Sequence, residues 1–223
     1  MSVLVFDIET VGVPWETIDE GTQEYLLKFA QTEEEKEIQK EMVGFYPLTG
    51  EVVAIGLYDP EKDIKSVYFQ APEAKMDAHQ VINDVHYIVG TEKEILEKFW
   101  ATIAKYTTFV TFNGRGFDCP YILMRSAANQ VQPRKDLMPY RYDSTKHCDL
   151  QDQLTFYGAT RKFNLDFYCK RLGITSPKSE GVTGHDVPQY YRDGRYMEIA
   201  EYCMRDVIAT AELFKVWRKY ISS

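Results

Sequence analysis

The sequence predicts an α/β fold, in which a mixed β-sheet is flanked by helices. Four short segments have the apolar or alternating pattern of strands, at residues 2–8, 51–58, 64–70 and 107–112. From residue 117 onward, apolar residues instead recur at the three- and four-residue spacing of amphipathic helices. The order β-β-β-α-β followed by helices favours one sheet covered by helices.

The first three strands are expected to form an antiparallel meander. The second and third are joined by the turn-like residues Asp59-Pro60-Glu61-Lys62-Asp63, without a helical pattern between them. The fourth strand follows a predicted helix at residues 92–106. Later helices are predicted at 117–129, 150–157, 165–172 and 197–220.

An acidic segment interrupts this pattern between the first and second strands. We predict a single domain over residues 1–223 with an acidic helical insertion at about residues 14–46. One helix is expected at 20–43, with its charged face solvated and with its packing supplied by Tyr25, Leu26, Phe29 and Ile38. A second interpretation is a flap beside the mouth of a functional site.

The net charge of −8 is distributed unevenly along the chain. Residues 1–100 carry 21 acidic and 8 basic side chains, whereas residues 101–223 carry 13 acidic and 18 basic ones. Affinity for nucleic acid comes largely from lysine and arginine. A nucleic-acid footprint is therefore expected mainly on the second half.

The cysteines and the hydropathy indicate the cellular environment. The four cysteines are 29, 21 and 34 residues apart, which matches neither a zinc site nor a dense disulfide framework. No segment has the roughly 18 consecutive apolar residues of a membrane-spanning helix. We therefore expect a cytoplasmic protein with reduced thiols.

Three separate motifs carry residues suited to chemistry. Asp7 and Glu9 end the first strand on the same face, because side chains alternate along a strand. Such a carboxylate pair suits a divalent cation, although a pair that only solvates a strand end explains it about as well. Asp118, preceded by Asn113 and Phe117, falls in the first turn of a predicted helix, where a simple helix cap is the alternative.

The third motif lies on the last predicted helix. Tyr202 and Asp206 are four residues apart, which places the phenol and the carboxylate on one helix face. By itself this spacing is common in helices of any function.

Taken together, the three motifs resemble those of the DEDD superfamily of exonucleases. Asp7-Ile8-Glu9-Thr10 resembles the first motif, Asn113 with Phe117-Asp118 the second, and Tyr202 with Asp206 the third. One branch has a histidine five residues before the last aspartate, but position 201 is glutamate, so Tyr202 points to the DEDDy branch. Within that branch the chain looks most like stand-alone proteins related to the proofreading exonuclease domain of family-B DNA polymerases.

The resemblance implies a ribonuclease H-like (DnaQ-like) fold and a metal-dependent 3′-5′ exonuclease. Two divalent ions, Mg²⁺ or Mn²⁺, would be held by Asp7, Glu9, Asp118 and Asp206, and Tyr202 would orient the attacking water. The residues implied to bind substrate are Thr10, Asn113, Phe117 and Lys178. The implied substrate is the 3′ end of single-stranded DNA.

Several alternatives stay open at this level. The DEDDy branch also contains enzymes that trim RNA, and a nucleic-acid-binding module without catalysis is a second alternative. A polymerase or DNA-repair partner acting in trans and the oligomeric state are not specified by the sequence. Two or three basic residues are expected to grip the nucleic-acid backbone, from among Arg115, Arg125, Arg134, Lys135, Arg161, Lys162 and Lys178.

Overall fold

One mixed seven-stranded sheet organises the part of the chain that the computed structural model describes, which is residues 2–72, 74–181 and 183–222. The strand order across the sheet is β4-β5-β3-β2-β1-β6-β7. The strands are β1 (Val3–Gly12), β2 (Gly50–Asp59), β3 (Ile64–Phe69), β4 (His79–Ile82), β5 (Val85–Val89), β6 (Thr108–Thr111) and β7 (His147–Asp149). The first three strands form the expected antiparallel meander, and β6 pairs in parallel with both β1 and β7.

Helices cover both faces of the sheet. In chain order they are α1 (Glu20–Leu27), α2 (Glu33–Glu41), α3 (Glu92–Ile103), α4 (Asp118–Ala128), α5 (Leu150–Leu154), α6 (Leu165–Leu172), α7 (Val187–Arg192) and α8 (Tyr196–Tyr220). Short 3₁₀ helices lie at Trp15–Thr17, Met42–Phe45 and Pro177–Glu180. In residues 2–72, 74–181 and 183–222, no helix has both the length and the apolar character needed to cross a membrane.

The alternation of side chains along β1 divides the core into two layers. Val3 and Val5 belong to the apolar cluster that includes α8, whereas Leu4, Phe6 and Ile8 pack in the cluster that includes α3 and α4. Asp7 and Glu9 have the same parity as Val3 and Val5, so they continue the α8 face of the strand. The buried part of β1 therefore delivers two carboxylates toward α8.

Gly56 allows α8 to lie close to the sheet beside Asp7. It pairs with Asp7 across the β1–β2 ladder. A Cβ atom at position 56 would lie 2.8 Å from Cγ2 of Val207 and 3.0 Å from Sγ of Cys203. Because glycine has no side chain there, α8 approaches β2 closely enough to bring Tyr202 and Asp206 to the end of β1.

The hairpin formed by β4 and β5 was not predicted. It is joined by Asn83 and Asp84, both in the left-handed region with φ of 50° and 61°, as a tight two-residue hairpin requires. The signal was weak because three of the four residues of β4 are exposed and the strand has no regular apolar alternation. Strand β7 was also missed, since its three residues are too few to show a period.

Two helix predictions extended too far. The helix predicted at 150–157 ends at Leu154, because Phe156 and Tyr157 adopt left-handed conformations with φ of 51° and 59°. The helix predicted at 92–106 ends at Ile103. The long C-terminal helix matches its predicted range within one residue.

The acidic insertion contains two helices rather than the single one predicted at 20–43. Helix α2 begins with its own capping box, in which Thr32 and Glu35 bond each other's backbone N–H groups. Three of the four residues predicted to pack the insertion are exposed instead, since Tyr25, Phe29 and Ile38 are 74%, 84% and 48% accessible. The segment leads into the 3₁₀ helix Met42–Phe45, which packs against β1.

A buried ion pair joins α3 to α4 on the other face of the sheet. The carboxylate of Glu92 accepts two hydrogen bonds from the guanidinium of Arg125, at 2.8 and 2.6 Å. It also accepts from the Val52 N–H at 2.8 Å and from Nδ2 of Asn129 at 2.7 Å. Arg125 is therefore a structural residue and is not available as the backbone-gripping cation that the sequence suggested.

Replacing Arg125 with methionine is expected to lower the free energy of unfolding by about 2 kcal/mol. The variant leaves the buried carboxylate of Glu92 with only its Val52 and Asn129 donors. Urea denaturation monitored by circular dichroism measures the effect. The exposed Arg134 provides the matched control, because Arg134→Met is expected to change stability by less than about 0.5 kcal/mol. Equal stabilities of the two variants would contradict a structural role for the pair.

Candidate active site

The three motifs that are far apart in sequence meet at the end of β1. Asp118, at the start of α4, accepts a hydrogen bond from the backbone N–H of Ile8 at 3.1 Å. Because Ile8 is the residue between Asp7 and Glu9, this bond holds the Asp118 carboxylate next to both of them. Asp7 interacts electrostatically with Asp118, Asp206 and Glu9. Four carboxylates from β1, α4 and α8 thus share one site.

This cluster of carboxylates is electrostatically strained in the absence of a cation. Burial and the neighbouring acids raise the pKa of Asp7 and of Glu9 well above the ordinary carboxyl range. Burial also raises the pKa of Asp118 to about 7 and that of Asp206 to about 6. The charges of Asp7 and Asp118 repel each other, so ionisation of one carboxyl group makes ionisation of the other less favourable.

Tyr202 contacts the cluster from one turn before Asp206 on α8. Its phenol interacts electrostatically with the carboxylates of Asp206 and Glu9, and only 5% of the residue is exposed. Burial, followed by the charges of Asp206 and Glu9, raises the pKa of the phenol well above its ordinary value. The phenol is therefore protonated at neutral pH and serves as a hydrogen-bonding group rather than a base.

Cys203 lies beside the acids but is poorly suited to bind a metal. Its Sγ atom lies within 4.8 Å of carboxylate oxygens of Asp7 and Glu9, and its thiol donates to the Asp7 carbonyl at 3.6 Å. Burial and the two nearby carboxylates raise the pKa of the thiol well above its ordinary value. Mg²⁺ and Mn²⁺ prefer carboxylate oxygen to the soft sulfur of a thiolate, so Cys203 fits a packing role in the core rather than a role as metal ligand.

Three of the four acids, Asp7, Glu9 and Asp206, open onto a cleft with two lobes. The first lobe, of about 440 Å³, is lined by Asp7, Asn113, Tyr202 and Asp206 together with Phe112, Asn164 and Lys178. The second lobe, of about 270 Å³, is lined by Glu9, Thr10, Phe117 and again Lys178. All four residues that the sequence suggested for substrate binding therefore line one lobe or both.

Lys178 supplies a positive charge to this acidic cleft. It follows the first residue of the 3₁₀ helix Pro177–Glu180, and its ammonium group lowers the pKa of Asp206 relative to burial alone. Two of the other basic residues singled out in the sequence serve internal contacts. Arg115 donates to the Pro139 carbonyl and contacts Nδ1 of His147, while Lys135 donates to the Tyr106 carbonyl at 2.7 Å.

A buried aspartate fixes the turn that carries Asn113. Asp149 accepts hydrogen bonds from the backbone N–H groups of Asn113 and Arg115, both at 2.9 Å. Asn113 itself has a left-handed backbone, with φ of 62°, which asparagine tolerates better than most residues. Asp149 also caps α5, so one carboxylate orients both the turn and the next helix.

Phe45 is a cleft residue that the sequence analysis did not identify. It lines both lobes, is 50% exposed, and its ring centroid lies 6.2 Å from that of Phe117. Its position depends on a close approach between Gly44 and Gly12, where a Cβ on Gly44 would lie 2.8 Å from the Gly12 nitrogen. The Gly44 carbonyl also accepts hydrogen bonds from the hydroxyls of Thr10 and Tyr121, each at 2.9 Å. The only sequence signal was an aromatic residue next to a glycine.

The donor set fits divalent cations that prefer oxygen ligands. Asp7, Glu9, Asp118 and Asp206 supply only carboxylate oxygens, which Mg²⁺ and Mn²⁺ bind readily. Glu9 and Asp118 are 8% and 3% exposed, so water does little to compensate their charges. A bound cation would remove the repulsion that raises the pKa values of these groups.

Comparison with known families identifies the chain. A family model described as "Predicted 3'-5' exonuclease related to the exonuclease domain of PolB" matches residues 64–221. The chain belongs to this family. The match includes Asp118, Tyr202 and Asp206, whereas Asp7 and Glu9 precede it. No curated protein sequence matches the chain.

The fold is also similar to that of a much larger solved structure. The family B DNA polymerase from the hyperthermophilic archaeon Pyrobaculum calidifontis superposes with a TM-score of 0.63 at 19% sequence identity. The similarity covers 97% of this chain but only 24% of the polymerase chain. The family and this similarity confirm the ribonuclease H-like fold class expected for this predicted exonuclease.

Proposed function

We propose that this family member is a metal-dependent 3′-5′ exonuclease that hydrolyses phosphodiester bonds at the 3′ end of single-stranded DNA. The observation that carries the proposal is the convergence of four carboxylates and one buried tyrosine at the end of β1, beside a cleft that is lined by Asp7, Glu9, Asp206 and Tyr202. The raised pKa values of these acids support a site built to hold cations.

The proposed chemistry is divided between ions and side chains. Two divalent ions, Mg²⁺ or Mn²⁺, would supply an activated water and neutralise charge on the leaving oxygen. Asp7, Glu9, Asp118 and Asp206 would hold them. Asp118 is additionally fixed by the Ile8 N–H, so the strand and the helix hold the ligands at a constant separation.

The remaining cleft residues would bind and orient the terminal nucleotide. Phe45 and Phe117 present aromatic surface to the second lobe, where a base could be received by stacking. Thr10 and Asn113 are proposed to contact the sugar, and Lys178 the phosphate, since Lys178 lines both lobes. These contacts would hold the scissile bond beside the acids.

Replacing Tyr202 with phenylalanine is expected to lower kcat about a hundredfold while leaving KM within twofold. The substitution removes only the hydroxyl that is proposed to orient the attacking water, and the ring continues to fill the core. Steady-state release of nucleotides from a labelled oligonucleotide measures both constants. Tyr196→Phe, on the same helix, is the control and should behave as wild type. An unchanged kcat in Tyr202→Phe would exclude the proposed role.

The overall proposal is tested with matched single-stranded DNA and RNA that carry a 5′ label. A ladder that shortens from the 3′ end, requires Mg²⁺ or Mn²⁺ and forms faster on DNA is the expected result. A faster ladder on RNA would favour the exoribonuclease alternative. No digestion of either strand by folded protein with any divalent ion would favour a non-catalytic nucleic-acid-binding module.

A further inference from the structure

Four side chains form a continuous stack beside α6. The rings of Phe163 and Phe167 are parallel within 10°, with centroids 4.3 Å apart. The guanidinium of Arg161 lies 5.3 Å from the Phe163 ring centroid, and that of Arg171 lies 5.8 Å from the Phe167 centroid. We call Arg161, Phe163, Phe167 and Arg171 the Arg–Phe stack.

Helix capping explains only one member of this stack. Phe163 precedes the N-cap residue Asn164, and its ring contacts Tyr168 edge-on at 6.0 Å, which forms a hydrophobic staple. Phe167 is outside that contact and is 41% exposed. Both arginines are exposed as well, and in the described part of the chain no ion pair is formed by either. The stack therefore presents aromatic and cationic surface that folding alone does not account for.

The Arg–Phe stack adjoins the first lobe of the cleft. Asn164 and Leu165, which directly follow Phe163, line the same lobe as Asp7 and Tyr202. Phe163 is also connected to the lobe through Tyr168, whose ring lies 6.0 Å from the ring of the lobe residue Phe112. A chain leaving the lobe on this side would meet the stack next.

We propose that the Arg–Phe stack binds the single-stranded part of a polynucleotide whose 3′ end lies in the cleft, and this inference rests on the proposed function. Aromatic faces accept any base by stacking, and guanidinium groups contact phosphates and stack on bases. The exposed Lys162 adds a third cation beside the stack. Residues 101–223 carry 18 basic and 13 acidic side chains, whereas the acidic insertion would repel phosphate, so charge complementarity directs the strand to this side.

The decisive variant removes the two exposed members of the stack on α6, as Phe167→Ala/Arg171→Ala. Lys219→Ala/Tyr220→Ala is the matched control, because Lys219 lies 4.9 Å over the ring of Tyr220, which is 71% exposed. That pair is 14 residues beyond Asp206 on α8, or about 21 Å along the helix. Circular dichroism verifies that both variants are folded.

Fluorescence anisotropy of labelled decathymidylate, with Ca²⁺ in place of the catalytic metal, measures binding without requiring hydrolysis. The stack variant is expected to raise the Kd about tenfold, and the control to stay within twofold of wild type. The same Kd in the stack variant and the wild type overturns the inference. An equal rise in both variants also overturns it, since that result would indicate unspecific loss of charge.

Hydrolysis of the p-nitrophenyl ester of thymidine 5′-monophosphate separates this inference from the proposed function. This ester contains one nucleotide and no single-stranded extension that could contact the stack, so its hydrolysis should be equal in wild type and stack variant. A loss of ester hydrolysis in the stack variant overturns the inference, because the stack would then act on the catalytic site itself. If no protein hydrolyses the ester or any oligonucleotide, the proposed function fails, and the anisotropy result still decides the inference.

Discussion

Replacing Asp7 with asparagine is expected to lower kcat about 10³-fold, which corresponds to roughly 4 kcal/mol of transition-state stabilisation. Asp7 interacts with each of the other three carboxylates, so its loss removes a ligand from the centre of the cluster. The amide has nearly the same shape but lacks the charge that would hold a divalent ion. Initial rates on single-stranded DNA at saturating Mn²⁺ measure the effect.

Glu41→Gln is the control for this experiment. Glu41 lines the second lobe from the acidic insertion but is exposed, and it is not among the proposed metal ligands. The variant should retain kcat within about twofold, because it removes a carboxylate from the rim rather than from the centre. Equal losses in the two variants would mean that general charge, rather than metal ligation, governs the rate.

Divalent metal is expected to stabilise the protein strongly, and to do so through the same carboxylates. At a hundredfold excess over its Kd, Mn²⁺ should add about 2.7 kcal/mol of stability, or roughly 5 to 10 °C in Tm. Asp7→Asn should abolish most of that gain. Without metal, Asp7→Asn should be more stable than wild type at pH 8, because one of the repelling charges is gone. Thermal denaturation with Mn²⁺ or with EDTA measures both effects.

The pH dependence of this difference follows from the pKa shifts. Asp118 and Asp206 have pKa values of about 7 and 6 when folded, above the carboxyl values of an unfolded chain near 4. Between these values the folded protein binds protons that the unfolded chain releases. The stability that Asp118 and Asp206 contribute is therefore complete below pH 4, and it is lost as the pH rises through 6 to 7. The advantage of Asp7→Asn over metal-free wild type should therefore shrink between pH 8 and pH 5.

The titration of His147 changes stability with pH in the opposite direction. For this reason the prediction concerns the difference in stability between Asp7→Asn and wild type. Burial, and then the nearby Arg115 cation, lower the pKa of His147 to about 3. Its contribution is present above pH 6.5 and is lost as the pH falls toward 3, equally in wild type and variant. A stability difference that does not change with pH would contradict the shared titration of the acids.

The local placement of Asp7, Glu9, Asp118, Tyr202 and Asp206 was predictable from the regular elements that carry them, whereas their assignment to one site came from the family resemblance. Strand alternation placed Asp7 and Glu9 on one face, and helix spacing placed Tyr202 and Asp206 on another. The first turn of a helix was also expected at Asp118, and α4 begins at that residue. Sequence periodicity could not predict how closely α8 approaches the sheet, because that approach depends on the absence of a side chain at Gly56.

Features that depend on tertiary contacts were not predictable in the same way. Phe45 reaches the cleft through the approach of Gly44 to Gly12, two residues that are separated by the acidic insertion. The hairpin that turns at Asn83 and Asp84 consists of short strands in which apolar and polar residues do not alternate clearly, so the local sequence did not predict them. The Arg–Phe stack became visible only when the ring geometry of Phe163 and Phe167 was known.

The most direct test of the central claim is the anomalous scattering of Mn²⁺ in crystals of the protein. The claim is that Asp7, Glu9, Asp118 and Asp206 form one divalent-metal centre. Data collected after soaking in Mn²⁺ should show anomalous peaks within bonding distance of these carboxylates, and the peaks should be absent from Asp7→Asn. Crystals saturated with Mn²⁺ that show no peak among the four acids would contradict the account.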